Sequence, residues 1–223
     1  MKHTTKMLSF APYISNFYSQ DGEDIVLASF YEEKPNYRGF YIDIGAHHPI
    51  RFSNTQFFYE KGWHGINIDA CPGSMKQFNK LRKNDINIEI GVSDKPGEME
   101  YFSFVEPALN SFDKTLSEKR IDDGWALKER INRHVLPLND ILEKYLPHNQ
   151  HIDFITMDVE GLELQLIESL NFQKYTPDFF LVEDLSSIAF KERPISRLLN
   201  SHDYVAVVKL EGHLSLKNAK GVV

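Results

Sequence analysis

Acidic residues close five short apolar runs of this 223-residue chain, and their chemistry sets the first question. They are Asp43 in YIDIG, Asp69 in INIDA, Asp94 after GVS, Asp158 and Glu160 in ITMDVEG, and Glu183 and Asp184 in FFLVED. Carboxylates at strand ends can grip a cation, accept hydrogen bonds from hydroxyls, or take a proton. The first run continues as Gly45-Ala46-His47-His48-Pro49, so the second and third glycines of G-x-G-x-x-G are missing. Those two glycines let a pyrophosphate approach a helix N-terminus. Their absence favours a ligand with no phosphate, and an acidic rim favours one that is positively charged.

S-adenosylmethionine meets both conditions, since it carries an ammonium, a sulfonium, a ribose diol and adenine. Asp43 is then placed at the ammonium region, and Gly45 lets the backbone pass beside the cofactor, with Ala46 and His47 in the same turn. Asp69 is placed as acceptor for both ribose hydroxyls, with Ala70 next to it. Ser93 and Asp94, after a third run, are expected beside the adenine. Each acid taken alone could equally be a helix cap or turn former; it is their recurrence over successive runs that points to a site.

The elements that must position these residues alternate. GFYIDIG (39 to 45), GINIDA (65 to 70), INIEIGVS (86 to 93), the IDFITM run from 152 and PDFFLVED (177 to 184) read as strands. Between them lie helical stretches: 53 to 63, with Ser53 or Asn54 as cap, then 73 to 84, and one entered directly from Asp158. A strand followed by a helix is expected over 132 to 146, and a further helix and two strands close the chain. Near-continuous apolar strands between helices predict an α/β fold with a doubly wound parallel sheet, whose ligands sit at the strand carboxyl ends. The whole of 1–223 reads as a single domain, with 1–38 a helical N-terminal segment. The polar stretch 105–130 reads as an irregular insert, of the kind that forms a lid or binding loop.

Composition narrows the partners. A net charge of −7 and a pI near 5.7 speak against nucleic acid, whose phosphates need clustered Lys and Arg. The single Cys71 excludes an intramolecular disulfide and paired-cysteine zinc motifs. No apolar run approaches the ~20 residues of a membrane helix, so a cytoplasmic enzyme without membrane insertion is expected. Oligomeric state is not legible.

YSQDGEDIVL (18 to 27), FYIDIGAHHP (40 to 49), GWHGINIDACPGS (62 to 74), GVSDKPGEMEYF (91 to 102) and IDFITMDVEGLELQLIESL (152 to 170) together resemble the FkbM family of S-adenosylmethionine-dependent methyltransferases. The resemblance runs from about residue 18 to 184. It implies a class I methyltransferase fold with strand order 3-2-1-4-5-7-6 and an antiparallel seventh strand. It further implies O-methylation of a hydroxyl on a sugar, glycan or related small metabolite, and places Gln20 and Glu23 near the cofactor. His47 and Pro49 depart from the commoner family pattern, where Asn and Gly are frequent.

Methyl transfer to an alcohol needs oxygen, methyl and sulfur in line and a base for the hydroxyl proton. Asp158 or Glu160 can be that base or hold the acceptor, with Asp158 also facing the cofactor; both can instead serve only the following helix. His47 and His48 can touch the cofactor, supply the base or fill the turn, and His48 is carried forward as a catalytic candidate. A divalent ion held by His47 or His48 with Asp158, Glu160 or Glu183 is chemically possible, but no compact ligand spacing supports it, so no metal is expected. In the insert, Asn110, Ser111, Phe112 and Trp125 are candidates for the acceptor, and Lys119, Arg120, Lys128 and Arg130 could meet an anionic one. The competing readings are a nicotinamide-dependent oxidoreductase or epimerase, weakened by the missing glycines, and a non-catalytic member of the fold.

Overall fold

The computed structural model describes residues 17–184, 192–210 and 213–219. Seven strands form the central sheet. In chain order they are β1 (Phe40–Ile44), β2 (His64–Asp69), β3 (Ile86–Glu89), β7 (Phe154–Met157), β8 (Phe179–Glu183), β9 (Tyr204–Lys209) and β10 (His213–Asn218). Their spatial order is β3-β2-β1-β7-β8-β10-β9. Numbered within this sheet alone, that is 3-2-1-4-5-7-6. β10 runs antiparallel to β8, with His213 opposite Glu183.

β1, β7 and most of β8 are buried on both faces, which explains their predominantly apolar sequences. The main core packs Phe40, Ile42, Ile155, Phe180 and their neighbours against Leu138, Ile141, Leu166 and Leu199. Those last residues come from α5 (Leu138–Tyr145), α6 (Glu163–Ser169) and α7 (Pro194–Ser201). The other face is aromatic, with Tyr41, Phe58, Trp63, Phe154 and Phe179 in one cluster with Leu27. Leu27 lies on α1 (Glu23–Ser29), and Phe58 on α2 (Gln56–Glu60). α3 (Met75–Leu81) follows β2.

Three expectations need correction. The run INIEIGVS is not one strand. β3 ends at Glu89, and Gly91–Ser93 forms β4 of a separate three-stranded sheet, ordered β4-β6-β5, with β5 at Gly97–Phe104 and β6 at Leu127–Pro137. The alternation of Ile86, Ile88, Ile90 and Val92 hides the break because it continues from one sheet into the other. Residues 105–130 are also more ordered than their polarity suggests: a 3-10 turn at Pro107–Leu109, α4 (Lys114–Asp122) capped by the Asp113 carboxylate, and the start of β6. Finally, β7 does not run straight into α6. Residues 158–162 intervene as a loop in which Glu160 and Gly161 have φ of 58° and 114°.

Candidate functional site

A cavity of about 580 Å³ opens at the carboxyl edge of β1, β2 and β7, a size typical of small-molecule sites. Its floor is set by how closely β1 and β7 converge. Gly45 has φ 81°, and a Cβ there would lie 1.7 Å from the Asp158 carbonyl oxygen, so only glycine lets the two strand ends meet.

Asp43, Gly45, Ala46, Asp69 and Ala70 line this cavity, as do Gln20, His47 and His48. The Asp43 carboxylate is 6% exposed and accepts a 2.8 Å bond from the Thr55 hydroxyl. Burial pushes its pKa up to about 7, against the pull of Thr55 and Arg82. Arg82, on the turn after α3, is wholly buried. It donates to Thr55 Oγ1 at 3.0 Å, to the Tyr41 hydroxyl at 2.6 Å and to the Pro49 carbonyl at 3.1 Å, and it pairs with Asp85 at 2.9 Å. One buried guanidinium therefore fixes the turn after β1 and the hydroxyl that orients Asp43. Asp69 is fixed by backbone. Oδ2 accepts from His47 N–H at 2.9 Å and Oδ1 from Cys71 N–H at 2.7 Å; burial raises its pKa even so.

The histidines separate. His48 Nδ1 accepts from the backbone N–H groups of Ile50 and Arg51, at 3.1 and 2.9 Å. A neutral ring with Nδ1 so used carries its proton on Nε2 and has no lone pair left to act as base. The catalytic candidacy of His48 is therefore corrected to a turn role. His47 has φ 51° and a buried Nε2 with no hydrogen-bond partner among the described residues, and burial lowers its pKa.

On the opposite wall the acids crowd. Ligand oxygens of Asp158, Glu160 and Glu183 lie within 4.8 Å of one another. Burial and the charges of Asp158, Glu160 and Glu163 raise Glu183 far above the usual range, and a hydrogen bond with Asp158 adds to this. Burial and Asp158 also raise Glu160, against its ion pair with Arg120. Glu163 turns back to accept from Val159 N–H at 2.8 Å and Gly161 N–H at 3.0 Å, and burial lifts it to about 7. His213 Nε2 stands 3.6 Å from Asp158 Oδ2. Neither His47 nor His48 joins this group. Arg120 pairs with Glu160 and His213 stands beside Asp158, and the three acids together could hold a metal ion.

The insert forms the third wall. Asn110, Ser111 and Phe112 line the cavity. Asn110 Oδ1 accepts from Phe104 N–H at 2.7 Å, the Ser111 hydroxyl donates to the Glu160 carbonyl at 2.7 Å, and Phe112 packs on Tyr101 with ring centroids 4.8 Å apart. Seven predicted residues lie elsewhere. Trp125 is 51% exposed and off the cavity; Tyr101 supplies the second flat face instead. Ser93 and Asp94 sit in and after β4, where Ser93 bonds the Lys95 carbonyl at 3.2 Å and Asp94 accepts from Gln165 at 2.7 Å. Ile90 and Val92 line the cavity in their place. Glu23 does not line it either, and pairs with His213 Nδ1 at 2.8 Å. Lys119, Lys128 and Arg130 do not line it, and Arg120 is engaged by Glu160 and the Leu109 carbonyl.

Sequence reasoning missed Arg82, Tyr101 and His213. For His213 a signal existed: an antiparallel last strand presents its first residue, not its last, at the ligand edge.

The cavity fits the proposed cofactor in its chemistry. Among the described residues, Asp43 is a buried carboxylate with no cation bonded to it and His47 Nε2 a ring nitrogen without a hydrogen-bond partner, and both line a space of the right size. The sequence model of the Methyltransferase FkbM domain matches residues 43–206. Among solved structures, an FkbM methyltransferase from Methylobacillus flagellatus aligns at TM-score 0.46 and 14% identity, covering 82% of this chain and 44% of that one. This chain thus spans under half the length of that protein. The 1,6-didemethyltoxoflavin N1-methyltransferase of Burkholderia thailandensis, solved with S-adenosylhomocysteine, aligns at TM-score 0.44 and 10% identity, covering 89% and 79%. No curated protein matches the sequence. With the family model covering most of its length, this chain belongs to the FkbM family of S-adenosylmethionine-dependent methyltransferases.

Proposed function

We propose that this chain methylates a hydroxyl of a sugar, glycan or similar small metabolite, with Asp158 as the base. The carrying observation is the position of Asp158. It follows the strand that Gly45 allows to touch the cofactor turn, and its side chain is 37% exposed, whereas Asp43, Asp69 and the Glu160 side chain are at most 13% exposed. It is more open to an incoming hydroxyl than Asp43, Asp69 or Glu160.

When bound, S-adenosylmethionine supplies a methyl group activated on a sulfonium. Asp43, oriented by Thr55 and Arg82, holds the ammonium end; Asp69, fixed by two backbone N–H groups, accepts from the ribose; Ala46, Ala70, Ile90 and Val92 give an apolar bed for the base. Gln20 closes the cavity from the N-terminal segment. Tyr101 and Phe112 offer flat faces to a sugar ring, and Asn110 and Ser111 stand beside them. Asp158 receives the hydroxyl proton as the new bond forms. Glu160, held by Arg120, positions the insert against this base.

Calorimetry with S-adenosylmethionine, S-adenosylhomocysteine and NAD separates this reading from an oxidoreductase, with binding expected for the first two alone. Activated sugars and glycan fragments offered with a labelled methyl donor then test the acceptor. Asp158→Asn should bind cofactor normally and lose about 10²–10⁴-fold in turnover, the usual contribution of a general base. Normal turnover by that variant removes Asp158 from the chemistry.

A further inference from the structure

Two neighbouring strand ends bring three acids to one point. Asp158 follows β7, Glu160 lies on the loop after it and Glu183 ends β8, and one oxygen from each lies within 4.8 Å of the others. All three line the cavity, so the group is open to solutes on that side. Glu163 turns away from it to the N–H groups of Val159 and Gly161. Among the described residues, the guanidinium bonded to the group is that of Arg120, at Glu160.

The residue behind the acids points to what they hold. His213 lies opposite Glu183, at the start of β10. Its side chain is 7% exposed, yet neither ring nitrogen makes a hydrogen bond among the described residues. Nε2 reaches toward the acids and stands 3.6 Å from Asp158 Oδ2. Two donors on one divalent ion, with bonds of about 2.1 Å, stand about 3.0 Å apart when adjacent and about 4.2 Å when opposite. The separation of Nε2 and Oδ2 falls between these limits. At the other edge of the ring, Nδ1 is 2.8 Å from Oε1 of Glu23, which is wholly buried and whose second oxygen accepts from Asp21 N–H at 2.9 Å. A carboxylate in that place is the usual partner of a metal-bound imidazole, fixing the ring so that the lone pair of the other nitrogen faces the ion. A buried lone pair turned toward carboxylates with nothing between them is costly, and a cation satisfies both.

We propose that Asp158, Glu160, Glu183 and His213 Nε2 hold one divalent cation that faces the cavity. Three carboxylates favour a hard ion, and an imidazole beside them favours Mn²⁺ over Mg²⁺. Binding of the ion follows from these residues alone, whereas its part in methyl transfer rests on the reading above. There the acceptor hydroxyl takes an open position on the ion, which makes it more acidic. Asp158 gives one oxygen to the ion and receives the hydroxyl proton on the other as the oxygen–carbon bond forms. The carbon–sulfur bond breaks with its electron pair going to sulfur, and the ion keeps its charge throughout. Without the ion, the neighbouring acids help to raise Glu183 far above its usual range, so proton and ion compete for that carboxylate.

The full chain, stripped with a chelator, tests this with MnCl₂ as the probe. Electron paramagnetic resonance should show one Mn²⁺ bound per chain below about 1 mM, and spin-echo modulation should show a nitrogen bonded directly to it. No binding, or a bound ion without nitrogen coupling, overturns the inference; both are read on the wild type and need no variant to fold. Glu183→Gln should weaken binding about a hundredfold or more, and Glu23→Gln about tenfold to a hundredfold. Asp21 also offers an oxygen within 4.8 Å of Glu23 and His213, and Asp21→Asn should bind as the wild type does. Binding lost in Asp21→Asn but intact in Glu183→Gln puts the ion on the far side of His213 and overturns the assignment. Chelation should leave S-adenosylmethionine binding within about threefold and slow methyl transfer about tenfold or more, with Mn²⁺ restoring it. Methyl transfer that chelation does not slow overturns the part given to the ion in the reaction. Failure of the wild type to bind S-adenosylmethionine removes the methyltransferase reading instead, and the Mn²⁺ measurements still decide the site.

Discussion

The two acidic walls of the cavity are built on opposite plans. On the β1 and β2 side, Asp43 and Asp69 stand apart, each fixed by neutral donors: a hydroxyl for one, two backbone N–H groups for the other. On the β7 and β8 side, Asp158, Glu160 and Glu183 are packed together, with Arg120 on Glu160, His213 3.6 Å from Asp158 and the charge of Glu163 adding to their field. Isolated, fixed carboxylates bind a cation with little rearrangement. Crowded ones exchange protons readily, because each ionisation raises the cost of the next. The first wall holds its carboxylates apart, and the second presses them together.

The first wall is the easier to break. Arg82→Met leaves Asp85 buried without its cation and frees Thr55. The expected cost is about 3–5 kcal/mol, the usual result of breaking a buried pair from one side, together with weaker cofactor binding; denaturant melts and calorimetry check both. Gly45→Ala attacks the seam between the walls. A methyl group 1.7 Å from a carbonyl oxygen at φ 81° should cost about 2–4 kcal/mol in overpacking and left-handed strain, read as a fall in Tm.

The second wall should respond to pH rather than to packing. Glu183 keeps its proton in the folded protein far above its unfolded range. Its favourable contribution is full below about pH 4.5 and is lost progressively as the pH rises toward its folded pKa. Glu183→Gln escapes that loss, so it should match wild type near pH 4 and exceed it at pH 8 by about 1 kcal/mol after allowance for partial solvent screening. A variant less stable at pH 8 would break the contrast. The smallest effect sharpens it: Asp43, with a pKa near 7 when no cation faces it, should release about half a proton at pH 7 when a cationic ligand binds. Calorimetry in two buffers of different ionisation enthalpy measures that release.

The acids of both walls could be read from the sequence because parallel strands buried on both faces leave a plain mark, an apolar run stopped by a polar residue. Asp43, Asp69 and Asp158 follow from that mark alone. It misled at Ser93 and Asp94, since burial in a second small sheet prolongs the apolar run past the real end of β3 at Glu89. Arg82 was illegible for another reason: in KLRKN it looks like any solvated helix end, and only the tertiary fold buries it. His48 and Trp125 show that residue type does not give direction. Backbone donors claim the lone pair of one, and the other faces solvent.

The reversed direction of β10 has a consequence for biosynthesis. Ribosomes make Glu23 early and His213 some 190 positions later, yet the two meet across the sheet. A nascent chain therefore exposes β1, β2 and the residues around Asp43 and Asp69 long before β10 emerges to join the sheet. The contacts of β10 with β8 and of His213 with Glu23 are consequently among the last that this sheet can complete.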